Sequence, residues 1–125
     1  MLKSLVEALG IECSCIPRIA TGFGGGIARH GETCGALVGA IMALGLKHGR
    51  EDPNDSAAKT NTYVKVDMLC HAFKDEFGSL ICRGLIDCDF RTAEGNERFK
   101  RENLINECAK FVSFASRETY RLLKE

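Results

Sequence analysis

The stretch Cys34-Gly-Ala-Leu-Val-Gly-Ala-Ile-Met-Ala-Leu-Gly-Leu46 is the longest apolar run in the chain, thirteen residues closed by Lys47. A membrane-spanning helix needs about 20 such residues, so this run reads as a helix buried inside a globular fold. Thr33 is a plausible N-cap and Gly49 a plausible stop, which sets the helix from Thr33 to about His48. Gly35, Gly39 and Ala43 recur at i, i+4 and i+8 and give it a smooth face for close helix packing.

Immediately upstream the glycines crowd together. Seven of the thirteen fall in the nineteen residues from Gly22 to Ala40, around the single cysteine Cys34. Glycine is costly to order and is placed where the backbone needs positive φ or must approach something closely. The crowding therefore reads either as a tight loop-to-helix packing junction or as a loop built to present Cys34, and the two are compatible.

Outward from this centre, Leu2 to Leu9 reads as a helix ended by Gly10. Cys13 to Pro17 is a turn, followed by a short helical piece to Ala20. After a polar loop from Glu51 to Asp55, a long helix runs from about Ser56 to Phe77. Tyr63, Val66, Cys70, Phe73 and Phe77 make its apolar face, and Gly78 ends it. Ser79 caps a short helix to Leu85 or Ile86, and a polar turn from Asp87 to Asn96 leads into one last helix to about Leu123. On that helix Leu104, Cys108, Phe111, Val112, Ala115 and Leu122 form the inward stripe. No segment alternates with period two. The expectation is a single all-α domain over residues 1–125, a compact bundle of about five helices with a glycine-rich loop before the central one.

Formal net charge is zero, and the last thirty-five residues hold eight basic and six acidic side chains. No basic stripe exists for nucleic acid, and no apolar segment for a membrane. The first residues lack the long apolar region of a signal peptide, so the cytoplasm is the expected compartment. Gly26-Ile-Ala-Arg-His-Gly31 has phosphate-loop spacing, but Glu32 stands where the lysine belongs and no strand precedes it. The dinucleotide-binding glycine pattern fails as well. His30, His48 and His71 are scattered.

Chemistry therefore rests on the seven cysteines. An odd number in a cytoplasmic chain argues against a disulfide framework, and the absence of Cys-x-x-Cys removes the zinc-ribbon, ferredoxin and thioredoxin signatures. Any shared site must be assembled from separate helices. Cys34 and Cys82 each fall in a first helical turn, where free amides favour a thiolate. Arg29 and His30 lie upstream of the first, and Arg83 beside the second. A small buried residue is the plainer reading of either. Cys70 and Cys108 lie on inward stripes, Cys88 between two aspartates that oppose thiolate formation. Cys13 and Cys15 make an isolated Cys-x-Cys, able to bind soft metals.

The segments Gly22-Phe-Gly-Gly-Gly-Ile27, Gly31-Glu-Thr-Cys-Gly-Ala-Leu-Val-Gly-Ala40 and Gly45-Leu-Lys-His-Gly49 resemble the redox-active protein family named C_GCAxxG_C_C for its cysteine pattern. Phe77-Gly-Ser-Leu-Ile-Cys-Arg83 and Cys108-Ala-Lys-Phe-Val112 are similar to its two downstream cysteine regions. The likeness runs from about Leu2 to Leu123. It implies a small helical domain with four family cysteines and a redox role. A similar domain in split-Soret cytochromes implies a [2Fe–2S] cluster as one cofactor. Cys34, Cys82 and Cys108 take the second, third and fourth family positions; by spacing the first would fall a few residues before Met1, so either the start is upstream or this member lacks that ligand.

On that resemblance Cys34, Cys82 and Cys108 are candidate ligands, with Gly24, Gly25, Gly26 and Gly35 bringing backbone close to the cofactor. Three functions follow. The first is an iron–sulfur electron carrier with a redox partner that the sequence does not specify. The second is a metal-free thiol–disulfide protein in which Cys34 and Cys82 are the redox thiols. The third is a non-catalytic helical module, as monomer or homodimer, with structural zinc or no metal. No general acid–base pair is evident, which leaves open whether the chain is an enzyme.

Overall fold

In the computed structural model, which describes residues 1–125, the run from Cys34 forms the axis of the bundle. The elements are α1 (Leu2–Ala8), a 3-10 helix (Arg18–Phe23), α2 (Gly35–His48), α3 (Ser56–Phe77), α4 (Cys82–Ile86), α5 (Ala93–Arg101) and α6 (Ile105–Leu123). The chain is all-α, with six α-helices where about five were expected.

Because α2 carries no long polar side chain before Lys47, it can be covered on several sides at once. It packs against α6, α3 and α1, and Leu37, Ala40, Ala43 and Leu44 are sealed from solvent. The smooth face expected of Gly35, Gly39 and Ala43 is used for close approach: a Cβ at Gly39 would lie 3.0 Å from the Met1 side chain at the start of α1. Across the bundle, α3 and α6 meet through edge-on aromatic rings. Phe77 stands 4.8 Å from Phe111 and 5.3 Å from Phe114, centroid to centroid, with Phe73 sealed behind them.

Chain punctuation follows local chemistry. Gly10, at φ +69°, closes α1 with paired bonds from the Gly10 and Ile11 amides to the carbonyls of Glu7 and Val6, a Schellman cap. Asp55 caps α3 by accepting from the Ala58 amide at 3.0 Å, and Gly78 ends it at φ +84°.

Three expectations are corrected. The last helix is two helices: Asn103, left-handed at φ +50°, ends α5 with a second Schellman cap, its own amide bonding Lys100 and that of Leu104 bonding Phe99. Asparagine tolerates that conformation better than most residues, which is the local cause. On α3 the buried positions are Lys65, Leu69 and Phe73, while Tyr63 is 65% exposed; the inward stripe is rotated from the one the aromatics suggested. Lys65 is buried because its ammonium donates to the carbonyl oxygens of Leu122 and Glu125 at the end of α6. Finally, Ile81 and not Ser79 is the N-cap of α4; the Ser79 hydroxyl accepts from the Ile81 amide at 3.0 Å in the turn before it.

This packing predicts that Phe73→Ala lowers unfolding free energy by about 3–5 kcal/mol, whereas Tyr63→Ala changes it by roughly 0.5 kcal/mol or less. Urea unfolding followed by circular dichroism measures both, and equal losses would contradict the assigned stripe.

Candidate functional site

The site begins with a short antiparallel pairing between two loops. Thr33 bridges Ile81; the Cys34 amide donates to Leu80 at 2.9 Å and the Cys82 amide to Glu32 at 2.6 Å. Each paired segment then turns directly into a helix. Cys34, and not Thr33 as expected, is the N-cap of α2, because Thr33 is held in the bridge. Cys82 is the first residue of α4, so two cysteines 48 positions apart in sequence leave the same bridge side by side. From α6, Cys108 faces the same space.

The glycine run folds over these cysteines as a left-handed coil. Gly25, Gly26, Ile27, Ala28 and Arg29 all have φ between +46° and +68°. Three of them carry a Cβ, and left-handed conformations cost roughly 1–2 kcal/mol for each such residue. Five backbone bonds offset this, from Ile27, Ala28, Arg29, Gly31 and Glu32 back to Phe23, Gly22, Gly24, Gly25 and Gly26. At about 0.5–1.5 kcal/mol net apiece they balance the strain. Gly26 is pressed against the site: a Cβ there would lie 2.6 Å from that of Cys82. Its residue is buried, and its own amide donates no hydrogen bond within the chain. That glycine run is explained by left-handed geometry and by contact with Cys82.

Together these elements enclose a cavity of about 220 Å³. Cys34, Cys82 and Cys108 line it with Gly25, Gly26 and Gly35, and Phe90, Phe99 and Phe111 form much of its apolar wall. Gly24 lines a neighbouring recess beside Phe23 and Gly39, not this cavity. Cys88, which the sequence reading set aside, is buried close by. Its thiol donates to the Gly95 carbonyl at 2.9 Å, and its charge, when present, acts on Cys82. The aromatic wall was also missed: Phe90 fell in what read as a polar turn, and Phe99 lay before the inward stripe assigned to the last helix.

Electrostatics correct the expected thiolate at Cys34. Burial pushes that thiol up, and the Leu37 and Ala36 amides at the start of α2 only partly pull it back. Cys82 is pushed up to about 11, first by burial and then by repulsion from Cys34, Cys108 and Cys88. Burial and the Cys34 charge raise Cys108 likewise. The nearby cations do not help. Arg83 pairs with Glu32 at 3.5 Å, and Arg29 lies over Phe90 while bonding Asn96. By itself the chain holds these sulfurs protonated at neutral pH.

The donor set is soft and suits thiolate-bound iron–sulfur or zinc in kind. It numbers three where both commonly take four, and no three His, Cys, Asp or Glu side chains stand close enough together to hold a metal ion as they lie. Cys13 and Cys15 do not supply the fourth. They pack near Met42 and Leu46, at the far end of α2, roughly 16 Å along the helix from Gly35 at 1.5 Å per residue. Cys70 is half-buried on α3 and lies outside the cavity. No helix is long and apolar enough to cross a membrane.

These features define an all-α domain with a cysteine-lined, largely apolar cavity closed by a left-handed glycine coil. A family model described as "Putative redox-active protein (C_GCAxxG_C_C)" matches residues 1–122, and the chain belongs to that family. Neither a curated protein nor a solved structure matches it.

Three measurements check the site. In metal-free protein, alkylation of Cys82 by iodoacetamide should rise with a midpoint near pH 11; a midpoint near 8.5, where a free thiol ionises, would contradict the burial assigned to it. Because the folded state keeps that proton to higher pH than the unfolded chain, metal-free protein should also lose stability as pH rises from about 9 toward 11. Gly26→Ala should lower stability by about 2 kcal/mol or more, since it meets both positive φ and Cys82. Gly45→Ala, inside α2 with nothing within 4 Å of its added Cβ, should raise stability by up to about 1 kcal/mol. Equal effects in thermal unfolding would show that the coil does not press on the cavity.

Proposed function

We propose that this chain is a small electron-transfer protein whose redox centre is an iron–sulfur cluster held by Cys34, Cys82 and Cys108, with a fourth ligand from outside these three. The observation that carries the reading is the convergence of three cysteines from three helices on one largely apolar cavity. In that setting each thiolate repels the others and lacks water, so unassisted deprotonation is disfavoured. A cationic centre reverses the balance by pairing with all three sulfurs at once, which is the usual linkage between metal binding and thiol ionisation.

An iron–sulfur cluster would supply a one-electron couple there. The chain's own groups do the rest. The Thr33–Ile81 bridge fixes Cys34 and Cys82 relative to each other, and Cys108 closes the set from α6. The Phe90, Phe99 and Phe111 rings exclude water, which favours states of lower net charge. The unpaired Gly26 amide is available to an anionic sulfur, and so are the first amides of α2. Transfer of single electrons asks for no acid–base pair, in keeping with a wall that offers none.

The metal-free thiol–disulfide reading has one observation in its favour: it needs two thiols, and the cavity holds three. Against it stands the suppressed ionisation of all three, held as thiols by burial and mutual repulsion, which slows attack by any of them near neutral pH.

Protein purified without oxygen is expected to absorb broadly at roughly 400–600 nm and to bleach with dithionite. Cys34→Ser should abolish that absorption and the bound iron, while Cys88→Ser, whose thiol is committed to Gly95, should keep both. Equal loss in the two variants would overturn the ligand assignment, and colourless, iron-free wild-type protein would overturn the cluster.

A further inference from the structure

At the far end of α2 the turn after α1 brings the sulfurs of Cys13 and Cys15 to 3.4 Å from each other. Both side chains are half-buried. The turn is held by bonds from the Ile16 amide to Cys13 and from the Ile19 amide to Cys15. Residues two apart have Cα atoms at most about 7 Å apart, and a disulfide accepts about 4.4–6.8 Å. Closing the two sulfurs therefore needs only local adjustment of the turn. The pair opens onto its own recess, separate from the three-cysteine cavity and walled by Leu2, Ile16, Ile19, Met42 and Leu46. Ile19 and Leu46 on its rim are 60% and 43% exposed, so the recess is reachable from solvent.

We propose that Cys13 and Cys15 form a second redox site, a dithiol that closes to an intramolecular disulfide by exchange with a disulfide substrate. Cys13, as thiolate, attacks one sulfur of the substrate; the substrate's S–S bond breaks and its other sulfur leaves as a thiolate. Cys15 then attacks the Cys13 sulfur, forming the Cys13–Cys15 bond and expelling the second substrate thiolate. Two electrons pass from the dithiol to the substrate, and the two protons lost by the cysteines end on the two thiols released. The order follows from the local environment. The Cys15 amide and thiol pull Cys13 down, while the neighbouring Cys13 pushes Cys15 up. This site is independent of the electron-transfer reading, since it shares no residue with that cavity.

Trypsin separates the question cleanly. Cys13 and Cys15 fall together on the peptide Ser4–Arg18, and each of the other five cysteines falls on a peptide of its own. The whole chain would be equilibrated with graded ratios of oxidised to reduced glutathione, quenched in acid, alkylated and digested. On oxidation, Ser4–Arg18 is expected to lose both alkyl groups together and to appear about 2 Da lighter than its dithiol form, without a glutathione adduct. Cys15→Ser should instead stop at a glutathione adduct on Cys13, and Cys13→Ser at an adduct on Cys15, neither losing about 2 Da. A peptide that stays doubly alkylated at every ratio, or carries glutathione in the wild-type protein at equilibrium, would overturn the proposal. Acid quenching before equilibrium should catch the transient glutathione adduct of the wild-type chain on Cys13; a transient adduct on Cys15 would overturn the assigned order. Because peptides carrying Cys34, Cys82 and Cys108 are read separately, failure here is distinguishable from failure of the iron–sulfur reading.

Discussion

Two backbone hydrogen bonds, from Cys34 to Leu80 and from Cys82 to Glu32, fix the geometry on which the rest of this domain depends. They join a loop before the central helix to a loop after the longest one. Each cysteine thereby becomes the first or capping residue of a helix that leaves the junction. The pairing is what holds the starts of α2 and α4 side by side, while packing of α2 against α6, α3 and α1 sets the rest of the bundle. With it, α6 needs only to dock along α2 to bring Cys108 to the same space. The left-handed coil then has a fixed surface to fold against, and its glycines at Gly25 and Gly26 allow the contact with Cys82.

The cavity sets burial against charge. An apolar wall excludes water, but it also pushes three thiols toward their protonated forms, and their mutual repulsion pushes further. The amides at the start of α2 are too weak to reverse this at Cys34. Such a site is poorly suited to a free nucleophile near neutral pH and well suited to thiols that ionise only as they meet a cation. The half-buried Cys13–Cys15 pair presents a different situation, open to solvent through its own recess and with one sulfur favoured over the other.

The architecture was legible where local chemistry is strong. The apolar run from Cys34 announced the buried helix, Gly10 and Gly78 announced helix ends, and Ser56 to Phe77 came out with the boundaries expected. The break at Asn103 was not legible, because a polar stretch with helix-forming neighbours reads as continuous until the left-handed residue is seen. The stripe on α3 was misjudged because Tyr63 looks apolar by type, while Lys65 is buried by its two carbonyl partners at the end of α6. For the site, the family resemblance pointed to Cys34, Cys82 and Cys108, and the fold brings them to one cavity. Neither periodicity nor spacing could show the Thr33–Ile81 bridge, since a single pairing leaves no repeating pattern. The dense glycines promised a tight junction, yet not that five successive residues, three of them bearing a Cβ, would turn left-handed.

The most direct test of the account is X-ray absorption at the iron edge on protein purified without oxygen. It reads the atoms bound to the metal without assuming which residues carry them. The account predicts bound iron with an inner shell dominated by sulfur, losing sulfur neighbours when Cys108 is replaced by serine. Iron surrounded only by oxygen and nitrogen, or a sulfur shell that Cys108→Ser leaves unchanged, would contradict it.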